Sequence, residues 1–328
     1  MHVRPLQTST PLPPPLRPHL ALALQGGGAY GAFAWGVLDR LLEERRFKPE
    51  AISGASAGAL NAAALASGLV HGGHEGAREA LASLWSKVAD MTFLKMMGAP
   101  GAHLQLDLMT RLISPYQFNP LNINPLRDLL NREIDFEAVR THSRVALFLA
   151  ATNVRTGKPR MFREREISVD VLLASACLPY LHQAVEIEGE TYWDGGLSAN
   201  PPLLPLALDT NCRTLLLVKL TPDAEPDVPV HANSIFARMR RLLFNAALRC
   251  DLEALSRMQA QLRQAGRLPR DLLRLRELEI AAITIAAELL NGDGADPRAS
   301  EVIRKLHIAG RDAAEDMLAS QGVTPASK

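Results

Sequence analysis

The sequence predicts an α/β protein with a mostly parallel central sheet and helices on both faces. Three observations lead there. Residues 20–24, 145–151 and 214–220 are short, continuous apolar runs, as in strands buried on both sides. Longer stretches with helical spacing of their apolar residues alternate with these runs. Glycine-rich turns at Gly26-Gly27-Gly28 and at Gly54–Gly58 each join an expected strand to an expected helix.

Taken in order, residues 1–18 hold six prolines and read as a disordered, polyproline-type tail. A strand follows at 20–24, then the glycine turn, then a helix from Ala29 to about Arg46. Ala51-Ile52-Ser53 ends the next strand, and the alanine-rich stretch after Ser56 favours a helix to about Gly68. Gly72-Gly73 breaks the chain, and residues 77–89 resume as a helix. Residues 91–97 and 104–113 are apolar and flanked by Gly98, Pro100 and Gly101. They are read either as a mobile lid over an apolar site or as ordinary core helices.

Asn124 is placed to cap a helix that has Pro125 in its first turn. Residues 145–151 form a buried strand and 170–176 a short helix. Residues 185–193 fit a hairpin turning near Gly189, which delivers Asp194-Gly195-Gly196. After the strand at 214–220 come one or two amphipathic helices over 232–265. A stretch at 279–286 follows in which strand and helix compete, and a last helix spans 297–319. The organisation expected is a tail (1–18), a catalytic core (19–225) and a mostly helical extension packed on that core (226–328).

Composition narrows the function classes. The net charge is +1 with 22% charged residues, which gives no reason to expect nucleic acid as a partner. Three widely spaced cysteines, Cys177, Cys212 and Cys250, fit buried thiols in a reducing compartment and match no metal-ligand spacing. No stretch approaches the length of a transmembrane helix. The proline-interrupted N-terminus is unlike a secretory signal, so the sequence alone points to the cytoplasm.

The chemistry concentrates in two turns. Three glycines between strand and helix leave backbone N–H groups aimed at one point, where an anion is favoured. Ser56 lies in Gly54-Ala55-Ser56-Ala57-Gly58, the strand-to-helix context of a nucleophile elbow. An anion-accepting loop beside an exposed serine is what acyl transfer requires. In an open α/β sheet both turns would lie beyond the carboxyl ends of the strands. The base for such a serine is an Asp, a His, or a His oriented by an Asp. Of the nine histidines, none lies in a catalytic-looking setting, and His182, after Pro179-Tyr180-Leu181, reads as structural. Asp194 follows the aromatic strand end Tyr192-Trp193 and precedes two glycines. This fits a catalytic loop, though such Asp-Gly turns are common.

The set of motifs in this order resembles the patatin-like phospholipases. It consists of Gly-Gly-Gly-x-x-Gly from Gly26, Gly-x-Ser-x-Gly about thirty residues later, and Asp194-Gly195-Gly196 downstream. The stretches from Ala174 to Pro179 and from Tyr192 to Leu203 carry the likeness further, over about residues 20–220. The resemblance implies a three-layer fold, a lipid or acyl-ester substrate, and a Ser–Asp dyad that needs no histidine, metal or cofactor. It makes Ser56 the nucleophile, Asp194 the base, and Gly26, Gly27 and Gly28 the oxyanion hole. Many members have a basic residue where this chain has Tyr30.

Three other readings compete. One is an α/β-hydrolase with a Ser-Asp-His triad using His231 or His307. Another is a nucleotide-binding protein, disfavoured because no acidic residue ends the strand near Ser53. The third is a non-catalytic lipid-binding module. A last feature concerns reach to a lipid. Residues 230–276 hold ten arginines against three acids, with Ile235, Met239, Leu242, Leu252, Leu255, Met258 and Leu262 at near-helical spacing. Such a stripe suits peripheral association with an anionic membrane or, equally, packing on the sheet.

Overall fold

The computed structural model describes residues 16–90, 113–225, 227–290 and 299–321. β1 (His19–Leu24) leads through a 3-10 turn at Gly28–Tyr30 into α1 (Gly31–Glu43). β2 (Lys48–Ala55) is followed by α2 (Ala57–Asp90), which kinks at Gly72 and Gly73, the latter with φ 60°. Short helices α3 (Pro115–Phe118), α4 (Pro125–Glu133) and α5 (Phe136–His142) come next. Asn124 caps α4 as expected, accepting from the Leu126 N–H. Then come β3 (Ala146–Asn153), β4 (Pro159–Phe162), α6 (Val169–Ser175), β5 (Val185–Ile187) and β6 (Glu190–Asp194). The chain continues through α7 (Leu204–Asp209), β7 (Thr214–Lys219), α8 (Ala232–Gln264), α9 (Arg270–Arg276), β8 (Glu279–Thr284) and α10 (Ala299–Ser320).

The eight strands form one sheet in the order β5-β6-β3-β2-β1-β7-β8, with β4 also paired to β3. The five strands β3-β2-β1-β7-β8 run parallel, and β4, β5 and β6 are antiparallel additions at one side. Alternation along β1 sorts its side chains into two cores. Leu20, Leu22 and Leu24 join the cluster built with α1, α2 and α10, whereas Ala21 and Ala23 join the one built with α7, α8 and α9. The sheet is thus the middle of three layers. Residues 91–112, which include most of the two apolar stretches read as a lid or core helices, lie outside the described residues, as does most of the proline-rich tail.

Two uncertain elements are settled by tertiary packing. The stretch after Glu277 is a strand: it pairs parallel with β7 and buries Ala281 and Ile283 while leaving Ala282 exposed. Residues 232–264 form a single helix. The segment 226–328 contributes to the central sheet through β8, and its last helix lies against α1. That crossing depends on two glycines. A Cβ on Gly36 would stand 2.0 Å from the His307 carbonyl oxygen, and one on Gly310 would stand 2.1 Å from that of Phe33. The expectation for the cysteines needs one correction: Cys177 and Cys212 are buried, but Cys250 is exposed, because it lies on the outer face of α8.

Candidate active site

Ser56 occupies the sharp turn between β2 and α2, with φ 53°, in the left-handed region that an L-residue enters at a cost. The turn is held at both ends. The Ser56 carbonyl accepts from Ala59 and Leu60 in the first turn of α2, and its N–H donates to Ser175 Oγ at 3.0 Å. The flanking glycines are required by proximity. A Cβ on Gly54 would lie 2.6 Å from Gly58 backbone atoms, and one on Gly58 would lie 2.0 Å from the Leu24 carbonyl oxygen. Ser56 therefore stands at the positive end of a long helix, nearly buried at 8% exposure.

The glycine loop after β1 abuts this serine. A Cβ on Gly26 would come within 2.5 Å of the Ala55 carbonyl oxygen and 2.8 Å of Ser56 Cβ. The three glycines differ in what their amides do. Gly26 N–H donates to Asn200 Oδ1 at 2.6 Å, and Asn200 Nδ2 donates back to the Gly26 carbonyl at 3.2 Å. Its amide is already committed. Gly27 and Gly28 N–H have no acceptor among the described residues. Gly28 has φ 60° with open space around it, and Gly27 is extended at φ −178°. Just before the loop, buried Gln25 fixes the base of the turn. Its Oε1 accepts from Leu220 N–H and Thr221 N–H, and its Nε2 donates to Asn245 Oδ1.

Asp194 ends β6 and is fully buried. Its N–H donates to the Cys177 carbonyl at 2.8 Å and its carbonyl accepts from Thr152 Oγ1 at 2.7 Å, so the backbone is fixed from two sides. Carboxylate Oδ1 accepts from Gly196 N–H at 2.7 Å. Oδ2 has no partner at hydrogen-bonding geometry, although the Ser56 hydroxyl lies near enough to favour the ionised form. Ser56 and Asp194 are thus brought together without a closed hydrogen bond. Burial pushes the carboxyl up to about 7, against the Gly196 amide and the Ser56 hydroxyl, which pull it down. The two following glycines are again forced by contact: a Cβ on Gly195 would stand 2.1 Å from the Ala150 carbonyl oxygen, and one on Gly196 would stand 2.6 Å from the Phe244 ring.

Among the described residues no histidine hydrogen-bonds Ser56 or Asp194. His307 bonds to Asp39 at 3.2 Å and stacks on Trp35, and His231 precedes α8 at its exposed N-terminus. No group of three His, Cys, Asp or Glu side chains there is arranged to hold a metal ion. Tyr30 is partly desolvated, which raises its pKa, while the charges of Arg241 and Arg240 on α8 act to lower it. Arg241 and Arg240 thus act on the Tyr30 hydroxyl from α8, Arg241 being itself paired with Glu225.

The chain matches a known family over more than half of its length. The model for patatin-like phospholipases covers residues 22–207, a span that contains Ser56, Asp194 and all three loop glycines. The chain belongs to the patatin-like phospholipase family. No curated protein sequence matches it. Among the solved structures that resemble it are two at low identity. VipD from Legionella pneumophila is 16% identical, with a TM-score of 0.44, over 94% of this chain and 67% of that one. The type III effector protein ExoU is 17% identical, with a TM-score of 0.40, over 95% of this chain and 55% of that one.

For a patatin-like chain, several supporting residues were not assigned from sequence. Ser175 and Asn200 both lie in stretches that carry the family likeness, yet nothing local marks one as the acceptor for the Ser56 amide or the other as the clamp on Gly26. Gln25 and Thr152 likewise act only through contacts distant in sequence. The one signal in the sequence is that Gln25 and Asn200 are polar residues adjoining the glycine turn and the Asp194 turn in otherwise apolar surroundings.

Proposed function

We propose that this protein is a serine acyl hydrolase that cleaves lipid acyl esters, of phospholipase A type, with Ser56 as nucleophile and Asp194 as its base. The observation that carries the proposal is the buried Asp194 carboxylate, with Oδ2 unpartnered, beside the strained Ser56 turn. In water a carboxylate with a pKa near 4 is a weak base for an alcohol. Burial raises that of Asp194 to about 7, which narrows the mismatch and keeps a useful ionised fraction near neutral pH.

In the first step Ser56 Oγ attacks the ester carbonyl carbon while Asp194 accepts the hydroxyl proton. The oxyanion that forms faces the Gly27 and Gly28 amides, since the Gly26 amide is already bonded to Asn200. Collapse of the intermediate breaks the ester C–O bond, and Asp194 returns the proton to the leaving alkoxide. Water then attacks the acyl-serine, again giving its proton to Asp194, and the fatty acid leaves as Ser56 is reprotonated. The orphaned amides, the positive end of α2 and the dry surroundings all favour the charge that develops.

The test is labelling by a fluorophosphonate probe, followed by a panel of acyl esters varied in chain length and head group. Wild type is expected to be labelled and to turn over lipid esters, and Ser56→Ala to do neither. Equal labelling of the two proteins would remove Ser56 from the mechanism.

A further inference from the structure

Helix α8 presents two different faces to its surroundings. On the inner side, Leu248 and Leu255 are buried, and Leu252, Met258 and Leu262 pack beside them under the sheet. The lower half of the apolar stripe in the sequence is therefore core. Its arginines are partly accounted for as well. Arg238 and Arg241 share Glu225, and Arg274 is buried against the Ala207 and Leu208 carbonyls.

The first four turns of α8 differ. Ile235, Met239, Leu242 and Leu243 are 45%, 48%, 56% and 60% exposed, and Val228 and Val230 just before the helix are 83% and 77% exposed. At about 100° per residue, Ile235, Met239, Leu242, Leu243 and exposed Ala246 fall within an arc of roughly 100°. Arg240 borders that arc on one side and Arg249 on the other, and neither is paired with a carboxylate among the described residues. Further along the same face the apolar character stops, at Cys250, Glu253 and Arg257, where the last two form an exposed ion pair.

The back of this segment is fixed to the candidate site. The Phe244 ring lies against Gly196, the Phe244 carbonyl accepts from Asn200 Nδ2 at 3.1 Å, and Asn245 Oδ1 accepts from Gln25 Nε2 at 3.2 Å. One helical segment thus shows an arginine-bordered apolar face to the outside and holds the Asp194 and Gly26 loops on its inside. We propose that the outer face of residues 228–246 docks on an anionic lipid bilayer and so sets the orientation in which Ser56 meets membrane lipid. The occupant is a bilayer because the face combines an apolar strip for the acyl boundary with edge arginines that have no carboxylate partner among the described residues, Arg249 giving only one N–H to the Asp223 carbonyl at 2.6 Å. The proposal rests on the lipid hydrolase reading for its consequence, but binding is measured independently of hydrolysis.

Full-length Ser56→Ala protein, which leaves the lipid intact, is co-sedimented with vesicles of phosphatidylcholine alone and of equal parts phosphatidylcholine and phosphatidylserine. Binding is expected to be at least tenfold stronger on the anionic vesicles and to fall with added salt. Leu242→Ser/Leu243→Ser and, separately, Arg249→Glu are each expected to weaken it about fivefold or more. All three side chains are exposed, so an unchanged melting temperature serves as the folding control. In the otherwise wild-type enzyme the same changes are expected to lower hydrolysis of vesicle lipid and leave hydrolysis of a monomeric short-chain ester unchanged. Equal binding to both vesicle types, or variants that bind like the parent, would overturn the docking surface. So would a dimer in solution that these substitutions dissociate, because a second copy would then be the occupant. Vesicle binding without hydrolysis of any ester would instead sink the hydrolase reading and leave the docking face standing.

Discussion

Gly26 and Asn200 hold each other through a reciprocal pair of hydrogen bonds, amide to Oδ1 at 2.6 Å and Nδ2 to carbonyl at 3.2 Å. This pairing joins two turns 174 residues apart in sequence and occupies the Gly26 amide, while the Gly27 and Gly28 amides have no acceptor among the described residues. It also gives Asn200, fully buried, a positioning role that the glycine motif alone does not reveal.

Asn200→Ala is accordingly expected to impair both stability and turnover. A buried Gly26 N–H left without an acceptor costs about 1–3 kcal/mol, and the loop loses its anchor beside Ser56. The expected result is a lower melting temperature together with a kcat about tenfold or more below wild type, with KM changed less. Asn200→Asp, which keeps the acceptor for Gly26 but loses the donor to the Gly26 and Phe244 carbonyls, is expected to fall between the two. A variant that melts lower but turns over normally would show that the clamp is structural only.

Asp194 makes two linked predictions because its pKa of about 7 lies above that of a free carboxyl. Activity needs the ionised base, so kcat/KM for a soluble ester is expected to rise with pH through about 7 and then level off. Stability runs the other way. The folded state holds this proton more tightly than the unfolded chain, so the contribution is full below about pH 4 and is lost as pH rises through about 7. Asp194→Asn removes the buried charge. It is expected to lower kcat by several orders of magnitude while raising the melting temperature relative to wild type more at pH 8 than at pH 5. His231→Asn and His307→Asn are expected to retain the kcat of wild type, measured with the same ester, since neither touches Ser56 or Asp194. An inactive histidine variant beside an active Asp194→Asn protein would restore a triad.

The three loop glycines are expected to respond differently to alanine. Gly26→Ala drives a Cβ into the Ala55 carbonyl oxygen, a fixed backbone atom, and into Ser56 Cβ, so a large loss of soluble folded protein is expected. Gly28→Ala meets no atom within 4 Å but must hold a left-handed backbone, which costs on the order of 1 kcal/mol. It is expected to fold and to turn over more slowly, because the amide it carries moves off line. Loss of one oxyanion donor typically lowers kcat about 100- to 1,000-fold, which sets the outer limit for this variant. Steady-state kinetics on the purified, folded protein measures it, and full activity would remove Gly28 from the oxyanion hole.

Sequence alone determined the features that depend on local chemistry. The apolar runs at 20–24, 145–151 and 214–220 are strands because continuous β-type burial leaves little alternative. The Asn124–Pro125 start of α4 is a local cap, and the hairpin at Gly189 needs only residues with positive φ, which Glu188 and Gly189 supply. The turn at Ser56 was legible because Gly-x-Ser-x-Gly is a local pattern, although only Gly54 is demanded by a contact within the turn, to Gly58, whereas Gly58 is demanded by the Leu24 carbonyl on the neighbouring strand. Tertiary structure decided everything that depends on a distant partner. Residues 279–284 are a strand because β7 offers a parallel edge, not because their composition prefers it over a helix. The Gly26 amide is bonded to Asn200 and the Ser56 amide to Ser175 through contacts 174 and 119 residues apart. The apolar stripe of α8 was divided between core and surface by the sheet it lies on. Helical periodicity tells which side chains share a face, but only the neighbour that covers a face, or leaves it open, decides what that face does.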